Sequence, residues 1–448
     1  MNFDNVQTTE GDVNLSEERR EWYNSLPQES QDLLFRDSSV FLHQSMSTPC
    51  LDVLLACEES RIESISGQKY YDFHGNSVHQ LGYCNPKIIE RMKQQLDTLP
   101  FCPRRYTNIP AIECAEKLTS LLPDSLSRVL FAPSGASAVS MALKLARVVT
   151  GKFKVISFWD SFHGANIDTI SAGGEAVFRQ HLGPMMPGTE RVPPPTTYRG
   201  IFEDEMKYAD YVEYVVEKEG NIGAFIAEPI RNTDVQIPSE SYWKRIRAIC
   251  KKHHIVMIFD EIPLALGRTG KMFAFEHFGI EPDILCLGKG LGGGVMPFAA
   301  MIAREDFNIA KDISLGHYTH EKSPLGCISA LASIEYIEQN NLLDHAMDRS
   351  KQIRTILSDW FEKYPLIGDI RGIGMLWGIE LVEDQKTKKP ATEQASKILY
   401  SCLKNGLSFK ISQGNVLQLC PALIIKEKEL DEAMKILENA IKDHLSDI

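Results

Sequence analysis

Three places in the chain put chemically useful residues at the end of an apolar run. The run "IVMIFDE" ends in Asp260 and Glu261, and "DILCLGK" ends in Lys289, followed by a glycine run, "GLGGG", that reads as flexible. Buried charges are costly unless paired or used, so an acid and a lysine at the mouths of two buried strands point to chemistry. A partly desolvated lysine is a nucleophilic amine able to form a Schiff base. After "RVLFAP" come Ser134, Gly135 and Ala136, where a helix should start. Small residues let the backbone approach an anion, and free helix N–H groups with a serine hydroxyl can hold a phosphate. A serine there is also an ordinary helix cap. Taken together, an amine for an aldehyde, an acid for a ring nitrogen and a cradle for a phosphate describe pyridoxal phosphate, an electron sink for carbanions.

The elements that must position these groups are legible as a rhythm. "RVLFAP", "KFKVISFW", "GAFIAEPI", "IVMIFDEI", "DILCLGKG" and "FAAMIA" read as strands, with helical segments such as "SGASAVSMALKLARVV" and "SYWKRIRAICKKH" between some of them. Continuous apolar strands alternating with helices predict an α/β domain with a mostly parallel sheet covered on both faces. In such sheets ligands bind beyond the carboxyl ends of strands. After Pro324 the chain reads as long helices, then as α+β, with "GDIRGIGMLWGIELV" as strands and "EKELDEAMKILENAIKDHL" as a closing helix. The expected organisation is an arm with part of a small domain over 1–75, a large α/β domain over 76–330, and a small α+β domain over 331–448.

Composition narrows the function classes. The 448 residues carry 48 Lys+Arg against 60 Asp+Glu, a net charge of −12, with 43% apolar residues. An acidic chain without a basic stripe argues against binding a nucleic-acid backbone. The longest apolar stretch, around Leu291 to Ala303, is broken by three glycines, and a spanning helix needs about 20 residues, so no membrane segment is expected. "MNFDNVQTTEGDVNLSEERREWY" lacks the apolar core of a signal peptide. None of the ten cysteines forms a Cys-x-x-Cys pair; reduced, buried thiols in a cytoplasmic protein and no metal site are the expectation.

With "SGASAVSMALKLAR", "FHG", "AEP", "FDEI…LGRTG", "PDILCLGKGLGGGVMPFAA" and "THEKSPLGC", the chain from about residue 50 onward resembles the class III, ornithine-aminotransferase-like family of fold-type I pyridoxal-phosphate enzymes. The resemblance implies a seven-stranded sheet in the large domain. It makes Lys289 the Schiff-base lysine and proton shuttle, and pairs Asp260 with the pyridine nitrogen. Ile262 and Phe162 would cover the two ring faces, with His163 and Gly164 beside Phe162. Ser134, Gly135 and Ala136 would bind the phosphate, Glu228 would lie near the cofactor and Asp260, and Thr319 would reach the neighbouring subunit's phosphate in a homodimer.

Departures from the family pattern carry more information about the reaction. Gln418 stands where many of its aminotransferases have a substrate-carboxylate arginine, and Thr233 where they have the glutamate that pairs with it. Pro263 replaces a glutamine, and "SGASAVS" lacks the usual Glu and Asn. Without the bidentate arginine, α-carboxylate recognition weakens, and a transaminase needs a keto-acid acceptor. Arg104, Arg105, Lys322 and Arg231 are cations that would suit a phosphonate or phosphate better, and Arg104, Arg105, Lys322 and Gln418 are the candidate substrate contacts. "LPFCPRRYTN", "DEIPLALGRTG" and "HYTHEKSPLGC" look like the branch of the family that releases ammonia from a hydroxylated aminophosphonate, with Lys289, His79 or His320 as candidate acids for the leaving group. An aminotransferase acting on an ω-amine or aminophosphonate, a phospho-lyase on an amino-alcohol phosphate, and a silent ligand-sensing protein are the alternatives.

Overall fold

The computed structural model describes residues 16–44, 50–196 and 198–445. Residues 1–15, the first part of the N-terminal stretch that lacks the apolar core of a signal peptide, lie outside the described residues. Two compact units emerge: Pro86–Asn232 with Gln236–Leu343, and the described residues up to Asn85 with Thr233–Val235 and Asp344 onward.

The first unit is built on seven strands, β1 (Leu126–Ala132), β2 (Lys154–Phe158), β3 (Thr189–Val192), β4 (Ile222–Ala227), β5 (Val256–Asp260), β6 (Ile284–Leu287) and β7 (Ala299–Arg304). Their spatial order is β1-β7-β6-β5-β4-β2-β3, with β7 antiparallel to both neighbours and the remaining pairs parallel. Six of the seven match the apolar runs of the sequence. The seventh, β3, reads "TERV": it is a four-residue edge strand, so only one side is paired and half-exposed charged residues are tolerated.

Strand alternation sorts side chains into two layers. Helices α1 (Pro86–Thr98), α2 (Ile109–Ser120), α3 (Gly135–Thr150), α4 (Glu205–Glu219), α5 (Glu240–His253) and α6 (Pro324–Gln339) accompany the sheet. Ala224, Ile226, Val256 and Ile258 join Ala138, Met141, Ala142 and Leu145 of α3 in one core. The intervening Phe225 and Phe259 turn to Trp243 of α5, with ring centroids 6.4 and 4.9 Å away. Trp243 is fully buried, also meets Phe158 and Phe278, and donates its indole N–H to the Pro229 carbonyl at 3.0 Å.

The glycine run after Lys289 is not the flexible linker its composition suggests. Lys289–Gly292 is a short 3-10 turn, Gly290 to Gly292 are buried, and Ser329 of α6 donates its hydroxyl to the Gly292 carbonyl at 2.8 Å. A side chain at Gly293, whose φ is +61°, would collide with Ser333 at 2.7 Å. Glycine serves close packing of loop on helix here, as well as a left-handed backbone.

The second unit holds two sheets. Leu54–Glu58, Arg61–Ser64 and Lys69–Asp72 form an antiparallel meander extended by Leu407–Ser408, and Ile367–Ile373, Leu376–Asp384, Val416–Leu419 and Lys410–Ser412 form the other. The closing helix, Glu427–Asp443, buries Leu430, Met434, Leu437 and Ile441 at helical spacing.

Because Trp243 touches aromatic residues from three strands, Trp243→Ala is expected to cost about 3–5 kcal/mol. Denaturant titration checks this; a loss below about 1 kcal/mol would show that the sheet does not rest on this indole.

Candidate active site

Alternation along β5 decides what each acid at its end does. Asp260 has the parity of Val256 and Ile258 and lies on the α3 side, whereas Glu261 follows Met257 and Phe259 to the other side. Glu261 is fully buried and accepts the backbone N–H groups of Ala274 and Phe275 at 2.6 and 2.7 Å, so it organises a turn. Burial pushes its carboxyl up to about 8 against those two donors. Asp260, 2% exposed, accepts from His163 Nδ1 at 2.8 Å and from the Ile262 amide at 3.2 Å. The other ring nitrogen of His163 is buried with no hydrogen-bond partner among the described residues, so a proton on Nδ1, facing the carboxylate, is the favourable tautomer.

The loops at the strand ends converge through small residues. Ser134 caps α3, its hydroxyl accepting the Ser137 amide at 3.2 Å, so the N-terminal N–H groups of a 16-residue helix open toward solvent or a ligand. A β-carbon on Gly135 would sit 2.7 Å from Ile262 Cδ1, and one on Gly288 would sit 3.2 Å from Ile262 Cγ2. Ile262 thus lies against both the helix start and the residue before Lys289. Gly164, at φ +123°, approaches Ala136 so closely that a side chain would meet its Cβ at 2.6 Å. Phe162 packs against Phe178 with the rings tilted by 46° and their centroids 4.5 Å apart. The Phe178 contact was not read from the sequence, since "EAVFRQ" carries no motif.

Lys289 has a left-handed backbone, φ +47°, unusual for a residue with a side chain. Such strain, about 1–3 kcal/mol, clusters where function over-determines the geometry. Lys289 is electrostatically coupled to Glu228, at the end of β4, whose carboxylate accepts the Asn232 amide at 3.2 Å. Burial pushes the Glu228 carboxyl up to about 8, with Asp260 adding to the rise and Lys289, the Asn232 amide and Arg231 opposing it. The like charge of Asp260 and the burial act in the same direction on Glu228, both favouring its neutral form.

The structure therefore brings together Asp260, His163, Ile262, Glu228 and Lys289, with Ser134, Gly135 and Ala136 at the helix start and Phe162 on the loop that also carries His163. The candidate substrate cations lie elsewhere in the same unit. Arg104 and Arg105 are exposed on a turn, and Thr319 and Lys322 are exposed on another. Those two loops meet: the Asn108 side-chain amide donates to the Lys322 carbonyl at 3.0 Å and Phe101 packs edge-on to His320 at 5.2 Å. Arg231 is buried, its backbone bridged to Gln236. Gln418 belongs to the second unit, buried on the strand Val416–Leu419 opposite Gly378. His79, also of that unit, is buried and bonded to the Asp72 carbonyl at 3.0 Å.

Known proteins match this chain along most of its length. The family described as aminotransferase class-III matches residues 47–441. The chain is similar to the (R)-1-hydroxy-2-aminoethylphosphonate ammonia-lyase of Vibrio splendidus, 56% identical over 97% of this chain and 95% of that protein. It is 32% identical to the leucine/methionine racemase of Thermococcus litoralis, over 92% and 96% of the two chains. Among solved structures, the omega transaminase of Pseudomonas jessenii in complex with PMP superposes with a TM-score of 0.87 at 28% identity, covering 92% of this chain and 98% of that one.

The Glu228 carboxyl binds a proton in the fold that it has lost in the unfolded chain between its ordinary 4.5 and about 8. The native state holds more protons in that window, so this group lowers stability progressively as pH rises through it. In the cofactor-free protein, Glu228→Gln is expected to raise the unfolding free energy, read by denaturant titration, more at pH 8 than at pH 5, a difference on the order of a few kcal/mol. An equal change at both pH values would place the proton elsewhere.

Proposed function

The chain belongs to the class-III aminotransferase family, and we propose that it is a pyridoxal-phosphate-dependent ammonia-lyase, converting (R)-1-hydroxy-2-aminoethylphosphonate to phosphonoacetaldehyde and ammonia. The observation that carries this reading is the 56% identity, nearly end to end, to a protein of that name. Family membership alone does not choose the reaction, since a racemase and transaminases are also similar. Gln418 and Thr233, in place of the expected arginine and glutamate, support a reaction without a keto acid.

The donor set suits the cofactor: an amine on Lys289, an acceptor carboxylate on Asp260, and a helix start capped by Ser134. Lys289 would hold the aldehyde end, Ser134 with the amides near Gly135 and Ala136 the phosphate, and Ile262 and Phe162 the two ring faces. When bound, pyridoxal phosphate supplies a sink for the electron pair left as a proton departs from the amine-bearing carbon. Asp260, fixed by His163, would keep a proton on the ring nitrogen. Burial raises the Glu228 carboxyl and favours its neutral form in this site. Lys289 takes the proton from the amine-bearing carbon. Hydroxide leaves the adjacent carbon and takes up a proton as water, and the resulting enamine tautomerises and is hydrolysed to the aldehyde and ammonia. The water lost in elimination equals the water consumed in hydrolysis, so no co-substrate is needed.

The protein acts as a homodimer in this reading, with Thr319 serving the neighbouring subunit's phosphate. The joined loops at Phe101–Asn108 and Thr319–Lys322, beside exposed Leu96, Tyr106, Ile109 and Ile112, support a second copy as the partner. Arg104, Arg105 and Lys322 on those loops supply positive charge for a phosphonate dianion. A cytoplasmic location is part of this proposal; separately, among the described residues no helix is long and apolar enough to cross a membrane.

Mixing the holoenzyme with (R)-1-hydroxy-2-aminoethylphosphonate and no keto acid should release ammonia continuously while the cofactor spectrum stays in its aldehyde-derived form. A single stoichiometric conversion to the pyridoxamine form would instead make it an aminotransferase, the reading its structural neighbours favour. Arg104→Ala is expected to raise KM for the phosphonate about 10- to 100-fold with a smaller change in kcat; an unchanged KM would remove Arg104 from the substrate site.

A further inference from the structure

Three of the ten cysteines, Cys50, Cys57 and Cys84, are not the buried thiols that composition suggests, and two of them meet. Cys84 is exposed and Cys57 half-buried, and their sulfurs lie 3.8 Å apart. Cys57 is on Leu54–Glu58, the edge strand of its sheet, and Glu59 just beyond it bridges Tyr83, just before Cys84. In a regular antiparallel register Cys57 and Cys84 would point to opposite faces. Cys84 instead has φ +53°, which breaks the alternation as its sulfur approaches Cys57. Both sulfurs line an open groove with Arg61, Glu63 and Lys69.

We propose that Cys57 and Cys84 form a modification site, a dithiol that a peroxide converts reversibly to an intrachain disulfide. The sulfurs start at van der Waals contact and must close to about 2.05 Å, a movement within reach of side-chain rotation. Among the described residues no His, Cys, Asp or Glu completes a three-donor metal set with them. Burial, with the neighbouring sulfur, pushes the Cys57 thiol up to about 11, so Cys57 keeps its proton at neutral pH and the exposed Cys84 meets the oxidant. Cys84 sulfur attacks the peroxide oxygen; the O–O bond breaks, water leaves, and a sulfenic acid remains. Cys57 sulfur then attacks that sulfur, the S–O bond breaks, and hydroxide leaves with the Cys57 proton as water. Two thiols are oxidised by two electrons and the peroxide is reduced to water. The bond closes a loop of about 28 residues and ties the edge strand to the segment that enters α1 at Pro86.

The test is to treat the holoenzyme with hydrogen peroxide, alkylate the remaining thiols and map the peptides by mass spectrometry. The expected product is a Cys57–Cys84 cross-linked peptide, about 2 Da lighter per chain, and restored by dithiothreitol. Cys114 and Cys327, in contact but fully buried, should stay reduced. Cys57→Ser should leave a sulfenic acid on Cys84 that dimedone traps, and Cys84→Ser should lose the cross-link. Wild-type protein in which Cys84 proceeds to sulfinic acid with Cys57 still a thiol would overturn the proposal. So would two unmodified thiols under peroxide that fully oxidises glutathione.

Discussion

A polar group buried in a protein interior needs partners, and the Asp260 carboxyl group is held by a histidine ring and a backbone amide. Much of the first unit serves that arrangement. Strand β5 delivers the carboxyl group to the α3 side, and the fully buried Trp243 layer supports β5 from behind. His163 comes from the loop after β2, which can reach Asp260 because Gly164 admits Ala136 against it. Glu228 adds a second carboxyl group at the neighbouring strand end, kept protonated near neutrality by burial and by Asp260 itself. One carboxyl group fixed by hydrogen bonds and a second raised by burial form the setting that Lys289 meets.

The large sheet was legible because buried parallel strands are apolar throughout, whatever their neighbours. β3 escaped because an edge strand need not be: "TERV" has no pattern that separates it from a loop. Lys289, Asp260 and Ser134 were legible because polar residues directly after apolar runs are costly unless used. Glu261 shows the limit of that signal, since it is as buried as Asp260 yet serves backbone amides. Only strand parity separates the two roles. The His163–Asp260 bond joins residues 97 apart in the chain, and no local pattern encodes such a distance. The same holds for Phe178 against Phe162. The glycines after Lys289 were misjudged for another reason: composition cannot separate glycine chosen for freedom from glycine chosen so that Ser329 and Ser333 can press against it.

Family and reaction rest on different parts of the molecule. The groups that would hold the cofactor lie on strand ends and a helix start, fixed by the sheet. The residues that depart from the family pattern, Thr233, Pro263 and Gln418, leave that frame intact, and the exposed cations Arg104, Arg105 and Lys322 lie on turns. Loops tolerate substitution far better than the scaffold they decorate, which is how one frame can serve relatives named as lyase, racemase and transaminase.

The charges of β3 have a use beyond the single molecule. An open strand edge is a template for another chain, and proteins blunt it with short length and charge. Here the exposed side of the sheet ends in four residues carrying Glu190 and Arg191, with Arg191 anchored to the carbonyls of Gly173 and Ser171. At the far edge, Arg128 and Glu305 pair beside β1. A sheet with otherwise apolar strands is thereby fenced at both ends against runaway stacking, which is what lets such a core remain dispersed in a crowded solution.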